Sequence, residues 1–319
     1  MSRDLKTLVI ATALTPESDA VVRTGAAIAR TTGAAAWLVH VCAPPAFPSE
    51  IGGADLAWTE IELRELRERL DEQARRTGLA DLDGFSSSQI RLGLGVPYRE
   101  ILDLARRNEA DVIVLGASEG GALRHALLGS TADRVIRKAS CPVLVLRPEA
   151  VFPPERVVIP VDLSALSAGA VRKGIDLLSR TGGKNAAVEI LFVLNPLETE
   201  GSLQFTPAQI ERFAATELHR FVREATPEGI AAERIRIGYP ADEILAEIGD
   251  SKADLAVLAT HGLGGFERFL TGSVTAEVLR RAPCTIFVVP PSTALEDDVE
   301  TRREKQAWAK GHPIPMVIF

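Results

Sequence analysis

Cysteine is scarce in this chain: Cys42, Cys141 and Cys284 are the only three in 319 residues. They stand far apart, in an odd number, with no C-x-x-C or comparable spacing. That excludes a disulfide framework and a thiolate metal site, and it points to a reducing compartment. Long apolar runs are absent as well. No stretch approaches the roughly 20 residues that cross a bilayer. The short run Leu5–Ala11 lacks the length and the cleavage site of a secretory signal, so it reads as a buried first strand. The expectation is a soluble, cytoplasmic protein without a membrane partner. Basic charge is not in excess either: the net charge is −7, which argues against a broad nucleic-acid-binding face. No G-x-x-x-x-G-K-[ST] phosphate loop occurs, and no histidine–cysteine cluster suggests a structural metal.

What is present is a repeat. Apolar residues make up 46% and charged residues 25%, a globular composition, and the length suits about two domains of roughly 150 residues. Gly95-Val96-Pro97 recurs as Gly238-Tyr239-Pro240, Glu100-Ile101-Leu102 as Glu243-Ile244-Leu245, Ala110-Asp111 as Ala253-Asp254, Gly129-Ser130 as Gly272-Ser273, and Cys141 as Cys284, all offset by 143. Nearer the N-terminus, Val9-Ile10 matches Val158-Ile159 at an offset of 149, and Leu38–Val41 matches Ile190–Val193 at 152. The length differences fall between predicted elements, as surface-loop insertions do. The proline-rich stretch Pro148–Pro154 reads as a short stiff linker. The expected domains are 1–148 and 155–291, with a tail at 292–319 outside the repeat.

Each half alternates short apolar strands with amphipathic helices. In the first, strands are expected at Thr7–Thr12, Trp37–Cys42, Ser88–Gly93, Asp111–Gly116 and Pro142–Leu146. Helices are expected at Asp19–Thr32, Glu60–Arg76, Tyr98–Asn108 and Ala122–Ala139. The second half repeats this, with its third strand placed at Ile235–Ile237. Near-continuous apolar strands between helices predict a parallel sheet covered on both faces. The fold class is therefore α/β: two tandem, doubly wound, five-stranded parallel sheets, each an α/β/α sandwich. Ligands of such sheets bind beyond the carboxyl ends of the strands, where strand order reverses.

The chemistry concentrates in Leu258-Ala259-Thr260-His261-Gly262, continuing to Gly272-Ser273-Val274. A strand ends, a glycine-rich loop follows, and a helix starts at Gly-Ser. Ser273 is placed as a helix cap, and the amides of Gly272, Ser273 and Val274 are donors at a positive helix end, which suits an anion. This arrangement resembles the Gly-x-x-Gly-x9-Gly-Ser/Thr nucleotide motif of universal stress proteins, with Ala259 at the first glycine position. Ile159-Pro160-Val161-Asp162-Leu163-Ser164 and Arg281–Val289 resemble the first strand and the closing helix-to-strand passage of that family. The resemblance implies an adenine nucleotide α-hydrolase-like fold and a site for ATP, or ADP or AMP, with or without Mg. In that site Pro160, Val161 and Asp162 lie along the adenosine, Val193 packs on the adenine, Leu258 and Ala259 close the base and ribose side, and Gly262, Gly272, Ser273 and Val274 hold the phosphates. His261 carries no assigned role.

The first half has changed at the same places. Ala13 stands where the Asp would, Val41 is the counterpart of Val193, Gly116 and Glu119 occupy the glycine positions, and Gly129-Ser130-Thr131 is retained. A carboxylate near a phosphate and a lost hydrogen bond together weaken binding roughly 30-fold or more. The first half is therefore expected to be degenerate or structural. A binding and signalling module without rapid catalysis is favoured over a slow ATPase or phosphotransfer enzyme and over a non-nucleotide ligand carrier or scaffold. The resemblance also implies that the last strand pairs across a two-fold between domains; Val143–Leu146 and Ile286–Val289 are apolar edges that need covering, so the halves are expected to pair as an intramolecular pseudo-dimer, with whole-chain dimerisation an open option.

Overall fold

The computed structural model describes residues 5–43, 58–117, 128–147, 150–195, 206–227, 229–260 and 273–295. They belong to two compact units, one from Asp4–Ala139 with Val143–Pro148, the other chiefly from Glu149–Phe319. The first runs β1 (Thr7–Ala11), α1 (Ser18–Thr32), β2 (Ala35–Cys42), α2 (Glu60–Arg76), a 3-10 turn (Ser87–Gln89), β3 (Ile90–Leu94), α3 (Pro97–Arg107), β4 (Val112–Gly116), α4 (Ser130–Lys138) and β5 (Val143–Leu146). Its strands lie in the order β3-β2-β1-β4-β5, all parallel.

The second unit runs β6 (Arg156–Val161), α5 (Ala165–Arg180), β7 (Ala187–Leu194), α6 (Pro207–Ala225), β8 (Ala231–Ile237), α7 (Pro240–Asp250), β9 (Leu255–Ala259), α8 (Ser273–Arg281), β10 (Thr285–Val289) and the short α9 (Pro291–Ala294). Its order is β8-β7-β6-β9-β10, again all parallel. In both units the order reverses between the first and fourth strands, so the switch points are β1/β4 and β6/β9.

The repeat survives at the level of strand register. Thr7 faces Ala35 as Arg156 faces Ala187, and Leu8 faces Val112 as Val157 faces Leu255. Leu38 faces Ile90 as Ile190 faces Glu233, and Ile113 faces Val143 as Ala256 faces Ile286. The sequence offsets are thus structural equivalences. Unusual backbone recurs too. Leu14 and Leu163 both adopt left-handed φ, at 58° and 61°, and Glu109 and Lys252 do so at 48° and 52°. Asp111 Oδ2 accepts from the amides of Lys6 and Thr7 at 2.7 and 2.9 Å, and Asp254 Oδ2 accepts from Glu155 and Arg156, both at 2.9 Å. The recurring Asp is therefore a clamp on the start of the first strand, at the end of the sheet away from the switch point.

The strands β5 and β10 are buried throughout, which is why they read as unbroken apolar runs. Each buried Val or Leu there contributes about 1.5–3 kcal/mol. Helix α1 approaches β1 closely at Gly25, where a Cβ would lie 2.5 Å from Ile10 Cδ1. Strand β8 begins four residues before its expected start, at Ala231 rather than 235. Its first half, Ala231-Ala232-Glu233, has no bulky apolar side chain and is largely exposed, so backbone pairing with β7 makes it a strand where apolar pattern does not. The helix expected over Ala122–Ala139 is present in the described residues as Ser130–Lys138, and residues 122–127 lie outside them. Among the described residues no helix is long and apolar enough to cross a membrane.

Candidate functional site

In the second unit, β6 ends at Val161 and Asp162 follows, partly exposed, at the switch point. Asp162 Oδ1 accepts from the Ser164 amide at 3.0 Å, and Ser164 in turn caps α5 by accepting from the Ser167 amide at 3.2 Å. The Asp thus shapes the corner that Leu163 makes in left-handed backbone. Beside it β9 ends at the partly exposed Ala259, whose carbonyl accepts from Thr275 Oγ1 at 2.9 Å. That bond holds the first turn of α8 against the end of β9, with Ser273 exposed and Val274 half-buried. Parallel pairing of β6 with β9 puts Asp162 and the α8 N-terminus at the same end of the sheet.

Of the other expected residues, Pro160 is half-buried in β6, while Val161, Val193 and Leu258 are core residues. Gly262 and Gly272, with His261 and Glu119, lie outside the described residues. The capping role given to the serine is corrected. Ser273 and Ser130 are each the first residue of their helix, and in the first unit Gly129 holds the cap position with no side-chain cap bond. The serine amide, rather than its hydroxyl, is therefore the feature that the helix start dictates.

The first unit, expected to be degenerate, carries an open cavity of about 630 Å³ at its own switch point. Ala13, Val41, Gly116, Gly129, Ser130 and Thr131 all line it. So do four residues that the repeat comparison passed over: Thr12, Glu17, His40 and Arg147. Arg147 directly follows β5 and is only 5% exposed. Its signal in the sequence is a charged residue closing an apolar strand, opposite Pro290 in the other copy. His40 Nδ1 donates to the Thr12 carbonyl at 2.9 Å, since a carbonyl can only accept.

Under the cavity a polar network fixes the β1–α1 corner. Thr12 Oγ1 donates to Gln73 Oε1 at 2.8 Å, Gln73 Nε2 donates to Asp19 Oδ1 at 2.7 Å, and Ser18 Oγ donates to the Thr15 carbonyl at 2.7 Å. Gln73 comes from α2 and is fully buried, so these bonds satisfy it. The Arg76 guanidinium, paired with both Asp19 oxygens at 2.8 and 2.9 Å, holds the Asp19 carboxyl below the usual range. Burial pushes the Cys42 thiol up. Beside the cavity wall, Tyr98 is ringed by Arg99, Arg134 and Lys138 at 5.3–5.9 Å, and the hydrogen bond from Arg99 lowers its phenol pKa. Among the described residues no group of three or more His, Cys, Asp or Glu could hold a metal ion.

Both halves of the chain match the universal stress protein family, over residues 5–147 and 154–290. Universal stress protein Rv2005c of Mycobacterium tuberculosis is 29% identical over 288 residues, covering 86% of this chain and 94% of the relative. A universal stress protein of Mycolicibacterium smegmatis is 28% identical over 281 residues, with the same coverage of 86% and 94%. Among solved structures, a universal stress protein from Archaeoglobus fulgidus shares the fold at a TM-score of 0.62 and 18% identity, covering 90% of this chain and 99% of that one. With two matched copies, matching strand registers and relatives aligned over most of their length, the chain belongs to the universal stress protein family as a tandem two-domain member.

Proposed function

We propose that the protein binds an adenine nucleotide, ATP or a close relative, at the β6/β9 switch point of its second unit, as a binding and signalling module rather than a rapid catalyst. One observation carries this reading: Asp162 and the first turn of α8 converge at the same strand ends, the second held there by the Thr275–Ala259 bond. A carboxylate that can accept from ribose hydroxyls would then share these strand ends with amides that suit phosphate. The apolar Val161, Val193 and Leu258 supply the floor a base requires. Gly262 and Gly272 complete the proposed phosphate contacts.

Calorimetric titration of the full chain with ATP tests the proposal. A stoichiometry near one is expected, lost in Asp162→Ala. Two equal nucleotide sites would contradict the assignment to the second unit, and a wild-type chain that binds no nucleotide would sink the reading.

A further inference from the structure

Helix α3 packs on α4 in the first unit as α7 packs on α8 in the second. Both pairs start and end at equivalent positions of the repeat, so their surfaces can be compared residue by residue. The charge is reversed. Helices α3 and α4 carry six cationic and three acidic side chains, whereas α7 and α8 carry two cationic and five acidic ones. In the second unit the seam between the helices is closed by its own ions: Arg281 Nη1 donates to Asp242 Oδ1 and to Glu277 Oε1, both at 2.9 Å. The equivalent positions in the first unit are Lys138, Arg99 and Arg134. Both carboxylates are replaced by guanidiniums, and the cation stays a cation. Tyr98, where the second unit has Ala241, stands among them. Arg134, Arg99 and Lys138 lie 5.3, 5.8 and 5.9 Å from the centre of its ring, all three exposed.

Three like charges around one ring repel, and cation–π attraction at an exposed site offsets only part of that. The acids of the same helices do not neutralise them. Glu100 lies beside Gly95, just past β3, while Asp103 pairs with Arg106 and Arg107, and Asp133 pairs with Arg137. Among the described residues Arg99, Arg134 and Lys138 have no carboxylate partner. None of the four lines the cavity at the strand ends. Such a cluster fits a ligand that brings carboxylates. Guanidiniums take carboxylates in a forked, two-bond geometry, and stacking on the ring orders them beforehand. A nucleic acid fits less well. Its phosphates run on past one helix turn to Glu100, Asp103 and Asp133, and the whole chain carries −7. An acidic peptide can end its charge where the patch ends.

We propose that Tyr98, Arg99, Arg134 and Lys138 form a docking surface for a glutamate- or aspartate-rich segment of a partner protein. It does not rest on the nucleotide reading of the second unit.

Fluorescence anisotropy of the full chain with a fluorescein-labelled peptide of alternating glutamate and glycine tests this. Saturable binding is expected at low salt, weaker as salt rises, retained under saturating ATP and absent with the glutamine counterpart. Arg99→Asp with Arg134→Glu installs the second unit's ion pairs around Lys138. That variant should keep or raise its urea midpoint and bind the peptide roughly tenfold more weakly or worse. Tyr98→Ala should weaken binding severalfold. Reversing two exposed charges on α2 instead, Arg64→Asp with Arg67→Glu, should leave binding nearly unchanged. If the seam variant unfolds early, Arg99→Gln and Arg134→Gln decide. A wild-type chain that does not bind the peptide would overturn the proposal. So would an equal loss in the α2 variant, full affinity in the seam variants, or displacement of the peptide by ATP. Tighter binding of a single-stranded DNA of equal charge, lost in the same seam variants, would overturn it in favour of a nucleic-acid surface.

Discussion

The Asp clamp offers a test of how the fold is held. In the first unit, two amides converge on a single oxygen of Asp111, at 2.7 and 2.9 Å. A hydrogen bond to a charged acceptor contributes about 1.5–3 kcal/mol, and partial exposure places these at the low end. Asp111→Ala should therefore cost about 3 kcal/mol. Because both donors use Oδ2, the amide oxygen of an asparagine can take the same place, so Asp111→Asn should cost about 1 kcal/mol or less. Trp37 and Trp58 both lie in the first unit, so in a Trp308→Phe background tryptophan fluorescence follows that unit's urea unfolding. With a slope of about 2 kcal/mol per M, the alanine variant should lower the midpoint by about 1.5 M and the asparagine variant by about 0.5 M or less. If alanine and asparagine prove equally harmful, the single-oxygen argument is wrong and the charge itself matters. If alanine is neutral, the clamp does not stabilise the sheet.

Three further outcomes are expected. Asp19 is held below its ordinary range chiefly by Arg76, so its stabilising contribution is full above about pH 4 and is lost as pH falls through the lower folded value; Arg76→Met should flatten that acid-side loss in urea midpoints. Glu189 is raised by burial and by the nearby Glu247, so stability is lost as pH rises through its folded value; Glu189→Gln should raise the midpoint at about pH 7 and leave it unchanged at about pH 4. Gly169→Ala would drive a Cβ into the Ala294 backbone, whereas Gly25→Ala meets the Ile10 side chain, which can shift where backbone cannot; the first should cost about 3 kcal/mol and the second about 1–2, measured by denaturation.

Much of the fold was legible because its strands are buried on both faces. Runs such as Val143–Leu146 and Thr285–Val289 read as buried strands between helices, and the repeat placed them last in both halves. Capping boxes at Thr59 and Thr206 start α2 and α6, a signal that the helical periodicity alone did not use. The edge strand β8 was read short because its outer half faces solvent and carries no apolar signal. At the candidate site, Asp162 and Ser273 were legible as candidates because a motif marks them. Arg147, His40 and Gln73 were missed because they belong to no motif: each contributes through burial and distant partners, such as the bond from Gln73 to an Asp 54 positions away. Reading the repeat for its differences rather than its agreements would have exposed Arg147 against Pro290.

The two leucines in left-handed backbone, Leu14 and Leu163, have a kinetic consequence. Glycine would take that conformation without strain, yet both copies use a side chain that resists it by roughly 1 kcal/mol or more. A corner locked in this way has few alternative shapes to visit. An incoming molecule would meet a lip already formed by folding, so capture should proceed in one step, with an observed rate rising linearly with concentration and no slow rearrangement after contact.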